Sequence, residues 1–178
     1  LIRAVRTMRD EGKDMSGFEL KGAPRMFIGA AENPFADPFE YRVIRLAKKI
    51  DAGVDFIQTQ CIYNMERFKA WMKMARDEGL TEKVHVLAGV TPLKSAGMAS
   101  YMAHKVAGMD IPEPLIKRIA DVPKEKAARE GIAICLETIA ELKTIPGVRG
   151  IHIMAIEWEQ KVEEIVRAAG LLPRPAQA

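Results

Sequence analysis

Several common chemical signatures are missing from this chain, and each absence narrows what it can be. Cysteine is scarce. Cys61 and Cys135 stand far apart, which gives neither a disulfide framework nor a metal-ligand spacing, and a reduced, cytoplasmic setting is expected. Charge of one sign is scarce too. A formal net charge of +3 over 178 residues offers no clustered basic face of the kind nucleic acid or an anionic membrane requires. No apolar run approaches the roughly 20 residues of a membrane span, and no secretory signal pattern occurs. No GxGxxG follows an apolar run, which removes the dinucleotide-binding fingerprint. HExxH, CxxC, GxSxG and the P-loop are also absent, so the common signatures of zinc proteases, serine hydrolases and NTPases are lacking.

What is present is a globular composition, 48% apolar and 29% charged, in which short apolar runs alternate with amphipathic ones. Leu1, Ile2, Val5 and Met8 recur at helical spacing before a Gly12 stop. Because the chain opens inside that pattern and not on Met, a longer parent is expected. Apolar runs predict strands over 25–34, 54–59, 83–93 and 150–156. Helical patterns fill 38–52, 65–78, 95–106, 113–121, 124–143 and 158–169. Nearly continuous apolar strands separated by helices mean a parallel α/β sheet buried on both faces. Four such parallel (β/α) units amount to half of a (β/α)8 TIM barrel, whose usual length exceeds about 200 residues. The expectation is the second half of a barrel over 1–172, a single domain, with a tail over 173–178. A complete small open sheet is the rival architecture.

In a parallel barrel the working face lies at the C-terminal strand ends. Those ends offer Ala31 and Asn33, then Thr59 and Gln60, then Thr91, and finally Met154. Amides, hydroxyls and sulfur dominate, and no obvious acid/base pair occurs. Such a site suits a flat heteroaromatic ligand better than ester hydrolysis. Bland readings stand beside this one. Gln60 alone could cap the next loop, and Cys61 reads as a small buried hydrophobe. His152 and His85 read as satisfied core histidines, and His104 as solvated. Met98, Met102 and Met109 read as core filler, and Arg42, Arg45, Lys48 and Lys49 as a solvated helix face.

Separate segments then agree with one family. "FIGAAENP", "LAKKIDAGVDFIQTQ", "AGVTPL" with "DIPEP" downstream, and "GIAICLETIAEL…GVRGIHIMAI" keep the order and spacing of the C-terminal half of a methylenetetrahydrofolate reductase, which the chain resembles over residues 1–172. The most specific piece is K-x-DAG-x-D-F-x-x-TQ, ending on Thr59 and Gln60.

The resemblance implies a flavin-dependent barrel that reduces 5,10-methylenetetrahydrofolate to 5-methyltetrahydrofolate, with hydride supplied by reduced FAD. Gln60 would hydrogen-bond the pterin, because an amide both donates and accepts. Thr59 would stand near the flavin, and Ala30, Ala31 and Asn33 would form the flavin loop. Lys48 and Lys49 would run beside the FAD diphosphate, with Lys49 the best-matched cation. Arg42 and Arg45 replace shorter polar residues, so the adenosine end is expected to be held differently. Met98, Met102 and Met154 take substrate-side positions where better-known members carry Gln, Phe and Tyr. A less aromatic lid leaves the electron donor open between NAD(P)H and a partner electron-transfer subunit. No catalytic residue is assigned. The general acid, a Glu near the start of the barrel, is implied to lie outside this chain, and the chain alone is expected to be inactive. A homo- or hetero-oligomer is expected as well. Two other readings stay open: a non-catalytic half-barrel that serves as a binding or assembly module, and another pterin-binding barrel such as a corrinoid-linked methyltransferase.

Overall fold

The computed structural model describes residues 1–22 and 24–174, so the end of the expected tail lies outside the described residues. Four strands, β1 (Gly29–Glu32), β2 (Phe56–Cys61), β3 (His85–Val90) and β4 (Val148–Ile153), form one sheet in the order β1-β2-β3-β4, every pair parallel. Sequential order with parallel neighbours is the arrangement of half a (β/α)8 barrel. A doubly wound open sheet would reverse its order at a switch point instead. The expected α/β fold class is therefore observed.

Seven helices connect or flank these strands: α1 (Ile2–Glu11), α2 (Tyr41–Ala52), α3 (Met65–Asp77), α4 (Ala96–Lys105), α5 (Glu113–Ala120), α6 (Lys124–Leu142) and α7 (Val162–Ala168). Side-chain caps set two of the starts. Asn64 accepts from the Arg67 amide before α3, and Ser95 accepts from the Met98 amide before α4; each satisfies an amide that has no partner within its helix.

The core lies between the sheet and its helices. Leu46, Ile57, Phe68, Trp71, Met72, Val86, Ile139 and Leu142 are fully enclosed there. A second cluster under α4 and α5 gathers Cys61, Leu93, Met102, Ile119 and Ile134. The opposite face of the sheet is the one that would line a barrel, and it is open. Along β2 the strand alternation buries Ile57, Thr59 and Cys61 and leaves Phe56, Gln58 and Gln60 half-exposed. Phe27 lies over Phe56 with ring centroids 5.4 Å apart.

Several strand and helix boundaries differ from expectation, three of them for a visible reason. β1 is shorter than 25–34, because pairing begins only where Gly29 meets Phe56. β2 starts and ends two residues later than expected. The Asp55 carboxylate accepts from the Ile28 amide at 2.7 Å and from Arg9 Nη1 at 2.6 Å, which sets the strand entry. The final helix begins at Val162 and not at 158, because Glu157 takes a left-handed φ of 52° and a short 3-10 turn, Glu159–Lys161, intervenes.

Candidate functional site

A bulge in β2 builds the site. The β2–β3 register breaks between Gln58 and Cys61, and the Thr59 hydroxyl repairs the ladder there. It accepts from the Gly89 amide and donates to the Gln60 carbonyl, both at 2.9 Å. A bulge re-aims side chains locally, and here Gln60 faces the open side of the sheet while Thr59 is buried. Gln60 Oε1 accepts from the Cys61 amide at 3.1 Å. One lone pair of that oxygen and both hydrogens of Nε2 remain for other partners.

Around Gln60 lies a cavity of about 430 Å³, lined by Ala31, Glu32 and Asn33 from β1, Arg42, Arg45 and Lys49 from α2, Gln58, Thr59 and Gln60 from β2, and His152 and Met154 from the end of β4. Eight residues expected at a ligand site thus come together: Ala31, Asn33, Arg42, Arg45, Lys49, Thr59, Gln60 and Met154.

Four others do not line it. Ala30 points away from the open face and packs against the main core. Met102 is buried in the second cluster and Met98 packs beside it, with its sulfur accepting from the Lys94 amide at 3.5 Å. Lys48 sits two turns from Tyr41 on a different face of α2, 3.4 Å from the Tyr41 hydroxyl and over its ring. Lys48 and Lys49 are adjacent in sequence, and about 100° of helical rotation decides which of them reaches the cavity.

The cavity's cations are not equivalent. Lys49 Nζ is 2.5 Å from Glu32 Oε2 and 2.7 Å from the Ala31 carbonyl, and the Glu32 side chain is only 1% exposed. Its charge is already matched. Arg42 and Arg45 have no acidic partner among the described residues, and Arg42 Nε is buried without a hydrogen bond. A buried donor without an acceptor is costly, and it is the rest of the partly exposed Arg42 guanidinium that a ligand could reach.

Three lining residues were not among the expected contacts. Gln58 shares the face of Gln60 by strand alternation, a signal present in the sequence. Glu32 is a carboxylate whose burial is explained by its ion pair with Lys49. His152 is the correction of most consequence. It is half-buried and lines the cavity, and its Nδ1 has no partner, so it is not a satisfied core histidine. His85 is also no core residue: it is exposed on the open face beside Phe27. His104 is exposed as expected. Cys61 is buried, and burial raises its thiol pKa, as it raises that of Cys135 to about 12. Neither is a thiolate nucleophile at neutral pH. No group of three or more metal-ligating side chains occurs among the described residues, and no helix there is long and apolar enough to cross a membrane.

A family model described as methylenetetrahydrofolate reductase matches residues 2–170. The chain belongs to the methylenetetrahydrofolate reductase family. Methylenetetrahydrofolate reductase 1 of Schizosaccharomyces pombe is 27% identical over 138 residues, covering 76% of this chain and 22% of that protein. A probable methylenetetrahydrofolate reductase (NADPH) of Caenorhabditis elegans is 24% identical over 150 residues, covering 81% of this chain and 22% of its own length. The chain therefore spans about a fifth of these relatives. Among solved structures, a protein from Clostridium thermocellum that binds two copies of 5-methyl-5,6,7,8-tetrahydrofolic acid superposes with a TM-score of 0.53 at 20% identity, over 79% of this chain and 50% of that one. That likeness supports the fold, and the half-length coverage agrees with four β/α units of a barrel.

The donor set fits the cofactor implied by the methylenetetrahydrofolate reductase family. Arg42 and Arg45 on one wall suit phosphate. Gln58, Gln60 and His152 on the floor suit the edge of a heteroaromatic ring, and Ala31, exposed on β1, leaves room for close approach.

Proposed function

We propose that this chain supplies folate and flavin contacts to a flavin-dependent reductase converting 5,10-methylenetetrahydrofolate to 5-methyltetrahydrofolate. The observation that carries the reading is the division of one cavity into two chemistries. Its α2 wall has cations without acidic partners, and its β2–β4 floor has neutral groups that donate and accept. FAD, when bound, supplies hydride chemistry. Arg42 and Arg45 hold its phosphates, and Gln60 orients the pterin. His152 borders the ligand space while its Nδ1 stays enclosed and unpaired. The carboxylate of Glu32 is committed to Lys49, and the family resemblance implies that the proton for the leaving amine comes from a Glu near the start of the barrel, outside this chain. The role of this chain is binding and orientation.

Gln60→Ala is the direct test. Losing two neutral hydrogen bonds is expected to weaken 5-methyltetrahydrofolate binding by roughly 10- to 100-fold. Flavin binding and the thermal midpoint should stay close to the parent's, because Gln60 is half-exposed and its one bond within the chain is to its neighbour's amide. Titration of folate and of FAD, each followed by fluorescence, reads both. An unchanged folate affinity in a normally folded variant would refute the assignment.

An assembly module is the second reading. The open sheet face supports it, with Phe27 63% exposed and stacked on Phe56, and with β1 and β4 at the sheet edges. Such edges and faces favour pairing with further strands. A protein that binds neither FAD nor folate yet forms a defined complex by light scattering would favour this reading over the first.

A further inference from the structure

The segment 106–112, which joins α4 to α5, crosses beside the pterin-facing amide. Gly108 takes a φ of +81°, and a Cβ built on it would lie 2.3 Å from Asn33 Nδ2 and 3.7 Å from Gln60 Nε2. The segment's backbone is therefore packed against two groups of the cavity. On one side it is anchored by Ile111, which is buried in the second cluster. On the other side it is held by Asp110.

Asp110 Oδ2 accepts from Asn64 Nδ2 at 3.0 Å and from Arg67 Nη1 at 3.1 Å. Arg67 reaches in the opposite direction with Nη2, which donates to Asp37 Oδ1 at 3.1 Å, and its guanidinium lies over the Phe39 ring at 5.1 Å. One side chain on the first turn of α3 thus ties the segment after α4 to the loop after β1, while Asn64 of the loop after β2 holds the same Asp110 carboxylate. Asn33 of the loop after β1 lines the cavity and Gly108 lies against two of its lining side chains, yet Arg67 itself does not line it.

We propose that Arg67 is a positioning residue for the folate-binding amide. Through Asp110 it keeps Gly108 against Gln60 Nε2 and Asn33, which restricts the amide to one orientation. The inference rests on the functional reading above for what the amide binds, and on geometry alone for the clasp. Arg67 and Asp110 are 35% and 25% exposed. An ion pair of that exposure contributes little to global stability, but a short connecting segment opens locally at low cost and depends on such ties.

The test is Arg67→Met in the whole protein, with Arg67→Lys as the charge-keeping variant and Asp110→Asn reached from the other partner. Without ligand, amide hydrogen exchange over 106–112 is expected to rise about tenfold in Arg67→Met and Asp110→Asn while the β-sheet amides are unchanged. The thermal midpoint should stay within a few degrees of the parent's. The affinity for 5-methyltetrahydrofolate should fall about fivefold and return in large part in Arg67→Lys. High salt should speed exchange of the segment in the parent and not in Arg67→Met, since screening acts only where the pair exists. Unchanged exchange in both neutral variants overturns the clasp. Faster exchange with parental folate affinity overturns the positioning role. A parent that binds no 5-methyltetrahydrofolate overturns the functional reading and the positioning role with it, and the exchange data then separate that failure from failure of the clasp.

Discussion

Lys49→Met is expected to destabilise the fold by about 3–5 kcal/mol, the cost of leaving a buried carboxylate without its partner. The Glu32 side chain is 1% exposed, and besides Lys49 its only hydrogen-bond partner is the Asn33 amide, 3.1 Å from Oε1. Lys49 also ties α2 to the end of β1 through the Ala31 carbonyl. Denaturant unfolding of Lys49→Met, of Glu32→Gln and of the double variant measures the effect. Most of the stability should return in the double variant, because the neutral amide no longer needs a cation. A loss below about 1 kcal/mol in Lys49→Met would place the pair in the weak surface class and refute its burial.

This pair bears on ligand binding as well. A cation already bonded to a carboxylate attracts phosphate weakly, so the double variant should keep most of the affinity for FAD. Arg42→Gln with Arg45→Gln should lose about tenfold or more, because charge-assisted bonds to phosphate are the strong ones. Isothermal titration of FAD into each form separates the two. If the double variant loses FAD and the arginine variant keeps it, the grip belongs to Lys49, as the family resemblance implied.

The second large effect is expected at Gly89. A Cβ there would lie 2.4 Å from the Thr59 carbonyl and 3.0 Å from both the Gln60 carbonyl and the Met154 methyl. The first two are backbone atoms in the bulge that aims Gln60, and they have no free rotation by which to retreat. Gly89→Ala should cost about 1–3 kcal/mol through overpacking. It should also lower affinity for 5-methyltetrahydrofolate at least as much as Gln60→Ala does, because it shifts the whole Thr59–Gln60 pair. Thermal unfolding and folate titration together check this. A variant with parental stability would show that β2 and β3 are further apart than the geometry states.

Much of this protein could be read from its residues. Nearly continuous apolar runs such as 150–156 and the spacing of Val43, Leu46 and Ile50 specify buried strands and covering helices, since burial imposes those periods. The Thr-Gln end of β2 and the cations of α2 singled out in the sequence do line one cavity. The misassignments share a cause. Residue type gives chemistry but not direction, and direction depends on register. Met98 and Met102 looked like substrate contacts by their place in the chain, but α4 turns Met102 into the second cluster and leaves Met98 beside it. His152 looked like a core residue because its neighbours are apolar, but an edge strand of half a barrel has one open face.

Sequence alone therefore determined the family and the parallel β/α order, because these depend on local pattern and composition. Only the tertiary structure decided which cation is free and which is paired, since Glu32 and Lys49 meet across 17 residues. The same holds for the bulge beside Gln60, bridged by a Thr59 hydroxyl reaching Gly89 on the next strand. Arg67 as a clasp needed the structure for the same reason. Its partners Asp37 and Asp110 lie 30 and 43 residues away, and no periodicity along a chain records contacts made through space.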